Sequence, residues 1–234
     1  QTFVVLQNDY SIVTLGKETY YMLDSYYTVH AHGTSEITIN KSRFITHVKR
    51  VISEEEAQDF IQSIKKEHWN ATHNCSAYLV GEHDQFQKAN DDGEPSGTAG
   101  IPMLEVLKKR QLKDTCVVVT RYFGGIKLGA GGLIRAYSSA VTEGIKETGV
   151  VERKRVNVMG VKVEYTLLGK VENELRNSSY PLKDILYEEA VVFFVYVPVK
   201  ESATFSEWIT NVTNGQCSIE ELETTYLETD ISSS

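Results

Sequence analysis

Residues 90–141 constrain the chain most, because they set two glycine-rich loops on either side of one short apolar strand. The first loop reads Asp91-Asp92-Gly93-Glu94-Pro95-Ser96-Gly97-Thr98-Ala99-Gly100. The strand, Cys116-Val117-Val118-Val119-Thr120, leaves through Arg121-Tyr122-Phe123. The second loop, Gly124-Gly125-Ile126-Lys127-Leu128-Gly129-Ala130-Gly131-Gly132, runs into a helical pattern. Glycine weakens ordered backbone unless positive φ or a close approach is needed. A strand, a glycine loop and a helix start in that order present free N–H groups where the helix dipole also favours an anion, phosphate above all. Lys127, Arg121 and Arg135 add positive charge to that surface. The alternative is that the glycines serve only a tight strand-to-helix turn. The spacing excludes two familiar phosphate loops. Ala130 stands where a Walker A loop needs lysine, and G-A-G-G-L-I from Gly129 lacks the third glycine of a dinucleotide fingerprint.

With 234 residues and 41% hydrophobic side chains, the chain can bury one large core or two smaller ones. No apolar run approaches the ~20 residues of a membrane span, and Gln1-Thr2-Phe3-Val4-Val5-Leu6 lacks the basic start of a signal peptide. A cytoplasmic protein without membrane contact is therefore expected. Cys75, Cys116 and Cys217 are far apart, odd in number and free of C-x-x-C spacing, which fits reduced thiols. The net charge of −8 opposes non-specific nucleic-acid binding by the whole protein. The charge is uneven, however. Between 108 and 135, Lys108, Lys109, Arg110, Lys113, Arg121, Lys127 and Arg135 face one acid, Asp114. From Lys200 onward the acids Glu201, Glu207, Glu220, Glu221, Glu223, Glu228 and Asp230 dominate.

Residues 1–21 read as a leader or added extension, with Met22 a candidate initiator and an alternation that would let the segment add a strand. Strands are expected at 36–40 and 43–48 from period-two alternation. Ser53 and Glu56 form a capping box, and Ala57, Phe60, Ile61 and Ile64 an apolar stripe, so a helix is expected to His68. Strands follow at 75–80, 85–88 and 115–121, with a short helix at 103–109 carrying Pro102 in its first turn. A helix over 133–147 is expected to turn Ile134, Tyr137, Val141 and Ile145 inward and to stop at Gly149. A second unit starts near Val151. It reads strand 155–165, helix 168–176, strands 185–188 and 190–198, helix 203–212 and strand 218–227, with a fraying tail from Asp230. That is the β-α-β-β-α-β order.

Three constellations could carry chemistry. His68, His73, Asp91, Asp92 and Glu94 could bind a divalent ion or act as acid and base, although Asp-Asp-Gly and Glu-Pro-Ser-Gly are also ordinary turn formers. Ser96, Thr98, Ser138 and Ser139 are available hydroxyls, but no G-x-S-x-G elbow supports a nucleophile. Arg121, Tyr122, Phe123, Lys127, Arg135 and Tyr137 interleave basic and aromatic groups, which suits phosphate contact with base stacking, with one of the adjacent Tyr122 and Phe123 expected in the core instead. No catalytic residue, metal or cofactor is expected.

The runs DDGEPSGTAG and VVVTRYFGGIKLGAGGLIRAY resemble the signature of the IMPACT/YigZ family, in a similarity that spans 22 to about 228. The resemblance implies two α+β domains. The N-terminal one, 22–149, is implied to be a β-α-β two-layer sandwich like a ribosomal-protein domain, domain IV of elongation factor G and the GHMP kinases. The C-terminal one, 151–228, is implied to be ferredoxin-like. It also implies a translation-associated role, through protein contacts in eukaryotic members and through RNA or ribosome binding in bacterial ones. The expected binding surface is then Arg121, Tyr122, Gly124, Gly125, Lys127, Gly129, Gly131, Gly132 and Arg135, with Asp91, Asp92, Glu94, Ser96 and Thr98 as a second wall. The alternative is a small-molecule hydrolase or phosphotransferase using the loops 91–100 and 124–132 as one pocket.

Overall fold

The computed structural model describes residues 6–7, 10–15 and 18–231. The remaining positions before Glu18 and those beyond Ile231 lie outside the described residues. The chain divides into two compact units, one built from Tyr26–Glu152 with Thr229–Ser234, the other from Arg153–Glu228 with Gln1–Ser25.

Before Tyr26, β1 (Leu6–Gln7), β2 (Tyr10–Leu15) and β3 (Glu18–Met22) form an antiparallel three-stranded sheet. The unit Tyr26–Glu152 opens with β4 (Ser25–Val29), whose Tyr27 bridges Leu112 in parallel. It continues with β5 (His32–Ile39), β6 (Ser42–Arg50), α1 (Glu54–Glu67), β7 (His73–Val80), β8 (Phe86–Asn90), α2 (Gly100–Lys109), β9 (Thr115–Tyr122) and α3 (Gly129–Thr148). The five strands β5 to β9 make one antiparallel sheet in the order β5-β6-β9-β7-β8.

The central strand β9 is buried on both faces, and its alternation decides the layering. Val117 and Val119 join the core under α2 and α3 with Met103, Leu107, Tyr137, Val141 and Ile145. Cys116 and Val118 join a second core under α1 with Ala57, Phe60, Ile61 and Ile64. Helices therefore lie on both faces of this sheet, where a two-layer sandwich was expected. A strand that is apolar at every position needs cover on both sides.

The helix α1 begins as its sequence dictates. Ser53 Oγ accepts from Glu56 N–H at 3.1 Å, and Glu56 Oε2 accepts from the N–H of Ile52 at 2.9 Å, one residue before the cap. The helix α3 begins four residues earlier than its apolar pattern suggests, because glycines occupy its first turn. Its inward face is Leu133, Tyr137, Val141 and Ile145, while Ile134 is 41% exposed rather than buried.

The second unit follows the expected element order. It comprises β10 (Val150–Val163), α4 (Leu168–Arg176), β11 (Leu182–Tyr187), β12 (Val191–Pro198), α5 (Ser202–Val212) and β13 (Ser218–Ile231). The strands run β11-β12-β10-β13, a split β-α-β arrangement. Alternate residues of β12, from Val191 to Val197, pack with Val171 and Leu175 of α4 and with Phe205 and Ile209 of α5. The last strand extends to Ile231, beyond the expected end at Leu227.

Candidate functional site

The glycine loop is held to the sheet at one point and open elsewhere. A Cβ on Gly124 would lie 2.0 Å from the carbonyl carbon of Lys41, so only glycine lets the chain cross the Lys41–Ser42 turn. There the N–H of Gly124 donates to Ser42 Oγ at 3.2 Å. Gly129 starts α3 at φ +68°, a left-handed conformation that disfavours any side chain. No side chain caps the helix at Leu128, so the first-turn N–H groups have no side-chain cap. Gly125, Lys127, Gly129, Gly131 and Arg135 are exposed, and Gly132 is half-buried.

Arg121 does not belong to that exposed surface. It shares a strand face with Val117 and Val119 and points toward α3. Its Nη1 donates to Glu94 Oε1 at 2.6 Å, and its Nη2 donates to Ser42 Oγ at 3.3 Å. The guanidinium stands 5.4 Å from the centre of the Phe44 ring and 5.5 Å from that of Phe123. Tyr137 Oη donates to the same Glu94 oxygen at 2.7 Å, and Cys75 Sγ donates to Tyr137 Oη at 3.3 Å. His73 Nε2 lies 3.8 Å from the other Glu94 oxygen. Burial pushes the Cys75 thiol up to about 12 and the Tyr137 phenol far above its usual range, so neither supplies an anion near neutrality. Glu94 and Arg121 thus form a buried, hydrogen-bonded ion pair beneath the loop.

The acidic loop is built by its own carboxylates. Asp91 Oδ1 accepts from the N–H groups of Ala99 and Gly100, and its Oδ2 accepts from that of Gly97. Burial pushes this carboxyl up, but the three backbone donors together outweigh it and hold it below its ordinary value. Asp91 so satisfies free N–H groups at the start of α2. Asp92 accepts from Lys65 Nζ at 2.6 Å and from the N–H of Asn74 at 2.7 Å. Thr98 is buried and donates to the Pro95 carbonyl, whereas Ser96 is exposed. The second wall is therefore a loop braced by its own backbone at Asp91 and Thr98 and by neighbouring elements at Asp92 and Glu94, with Ser96 as an outward hydroxyl.

Tyr122 faces the opposite side of β9, toward residues that sequence reasoning had left apart. His68 Nδ1 lies 2.9 Å from Tyr122 Oη, which donates to Asn70 Oδ1 at 3.3 Å. His68 Nε2 lies 3.2 Å from Nε2 of His47, whose Nδ1 is 3.3 Å from Thr34 Oγ1. Burial first, then the neighbouring His68, lower His47 to about 4. Arg43 sits 5.5 Å over the Tyr122 ring. His68 and His73 thus part company, one joining this chain and the other the acidic loop. Among the described residues no three His, Cys, Asp or Glu side chains converge to hold a metal ion. Ser42, Phe44 and His47 were missed because strand alternation tells which face a side chain takes, not which distant residue meets it.

Comparisons with known proteins agree with this arrangement of sequence and fold. Residues 40–145 match the family described as "Impact N-terminal domain", and residues 161–216 match a "domain of unknown function" family. The IMPACT family member YvyE of Bacillus subtilis is 66% identical over 88% of this chain and 95% of its own length. The IMPACT family member YigZ of Escherichia coli is 33% identical over 79% of this chain and 92% of its own length. A solved structure described as the crystal structure of a hypothetical protein covers 86% of this chain and 99% of its own, with TM-score 0.55 and 31% identity. With 66% identity to YvyE over 207 of its residues, the chain belongs to the IMPACT family.

Proposed function

We propose that the protein is a translation-associated binding protein whose Tyr26–Glu152 unit contacts RNA or the ribosome through residues 124–135. The observation that carries this reading is the open first turn of α3, exposed and without a side-chain cap, with Lys127 and Arg135 beside it. Backbone N–H groups at a helix start favour phosphate, and small residues there let it approach closely. The exposed Phe123 adds an aromatic edge at the entrance to the loop. Arg121 has a different part, holding the loop's base through Glu94 and Ser42. The role in translation rests on what family membership implies. The pocket alternative draws no support from the acidic loop, since Asp91, Asp92 and Glu94 are each engaged by internal donors.

The test is a salt titration of single-stranded RNA binding to the protein and to a Lys127→Ala, Arg135→Ala double variant. The variant should bind more weakly at low salt, and its log–log salt slope should flatten by roughly 0.7 per lost phosphate contact. Equal affinity and slope for both proteins would refute the site.

A further inference from the structure

A second surface of the Tyr26–Glu152 unit has the form of a docking groove, independent of the RNA reading. A cavity of about 750 Å3 runs between α2 and α3. Its apolar lining comes from Ile101 and Val106 on α2 and from Ile134 on α3. Ile101 is 55% exposed and Ile134 41% exposed, so these branched side chains stand in solvent beside the cavity. On α3 the stripe continues with Ser138 and Thr142, one turn apart each, which keeps that wall low. The C-terminal end of α2 contributes Lys109 and Arg110. Glu105 also reaches the groove, but Lys108 pairs with it at 3.6 Å. The side chains of Lys109 and Arg110 have no ion pair among the described residues.

We propose that this groove binds an acidic amphipathic segment of a partner protein. Its apolar side chains lie between Ile101 and Ile134, and its carboxylates face Lys109 and Arg110. The volume falls within the 300–1,000 Å3 or so of ordinary ligand sites. Two helices with an apolar trough between them suit an amphipathic segment, and the basic end selects acidic flanks. The lining residues include no aromatic ring on which a nucleobase could stack.

Fluorescence polarisation with two labelled helical peptides tests the proposal. Both carry leucine at i, i+3, i+4 and i+7, one with glutamate and the other with lysine elsewhere. The glutamate peptide should bind with a micromolar dissociation constant, at least about tenfold tighter than the lysine peptide. Ile134→Glu, at an exposed position, should remove that binding, and Lys109→Glu with Arg110→Glu should reverse the charge preference. Equal binding of both peptides, no binding below millimolar, or binding that survives Ile134→Glu would overturn the proposal. A concentration-dependent dimer in analytical ultracentrifugation that Ile134→Glu abolishes would overturn it in favour of a second copy.

Discussion

At the scale of single residues, Arg121 and Lys127 carry the same charge and do different things. Arg121 lies on the α3 face of β9 and is paired with a buried carboxylate. Removing one partner of a buried ion pair leaves an uncompensated charge, at a cost of about 3–5 kcal/mol. Arg121→Ala should therefore lower the unfolding free energy by about that amount in a urea titration, whereas Lys127→Ala should stay within about 0.5 kcal/mol of the parent. Similar small effects in both would mean that the Glu94 pair contributes little. Gly124→Ala forces a Cβ onto the Lys41 backbone and should cost about 1–3 kcal/mol by the same measurement. Asp91 has a depressed pKa when folded, so its stabilisation is complete above its ordinary value of 3.8 and is lost as the pH falls through the lower folded value. Asp91→Asn lacks this contribution. Its stability deficit relative to the parent should be constant above pH 5 or so and shrink in the acid range below 3.8. A deficit that grows on acidification would contradict this role. The sequence made the residue types visible here, but Arg121 and Glu94 are 27 positions apart, and only the fold brings them together.

At the scale of elements, most helices and strands were legible because apolar period and cap chemistry agreed. The helix α1 is the clearest case, with Ser53 and Glu56 at its start and four buried apolar residues at helical spacing. Ser53→Ala should cost about 1 kcal/mol and lower the melting temperature accordingly, while an unchanged midpoint would show the cap to be idle. The helix α4 runs Leu168–Arg176, as its pattern indicates. The start of α3 was not legible, because glycine is a poor helix former and the tertiary setting overrides that preference. The inward face keeps Tyr137, Val141 and Ile145 as expected, but Leu133 rather than Ile134 completes it, and Ile134 lines the α2–α3 groove. The third layer over the five-stranded sheet was readable in principle, since Cys116 to Thr120 carries no exposed polar position. The expected two-layer sandwich hid it.

At the scale of the whole molecule, the chain did not reveal that Gln1–Ser25 group with Arg153–Glu228, but the β-α-β-β-α-β order of the second unit was visible in it. Apolar runs and loops alternate there without interruption. The sheet formed by the segment before Tyr26 was not, because alternation permits a strand without naming its partner. The uneven charge also acts at this scale, although the fold buries Arg121 against Glu94 and pairs Lys108 with Glu105 and Lys113 with Asp84, leaving Lys127 and Arg135 exposed at the loop of a protein of net charge −8. A local basic surface on an acidic protein favours binding that is sharply confined and salt-sensitive. The most direct measurement is ultraviolet crosslinking of the protein to RNA in lysate, with the crosslinked peptides identified by mass spectrometry. The account predicts ribosomal or transfer RNA attached within residues 123–137 and loss of the attachment when Lys127 and Arg135 are replaced together. Crosslinks confined to other segments, or no RNA above an acidic control protein, would contradict it.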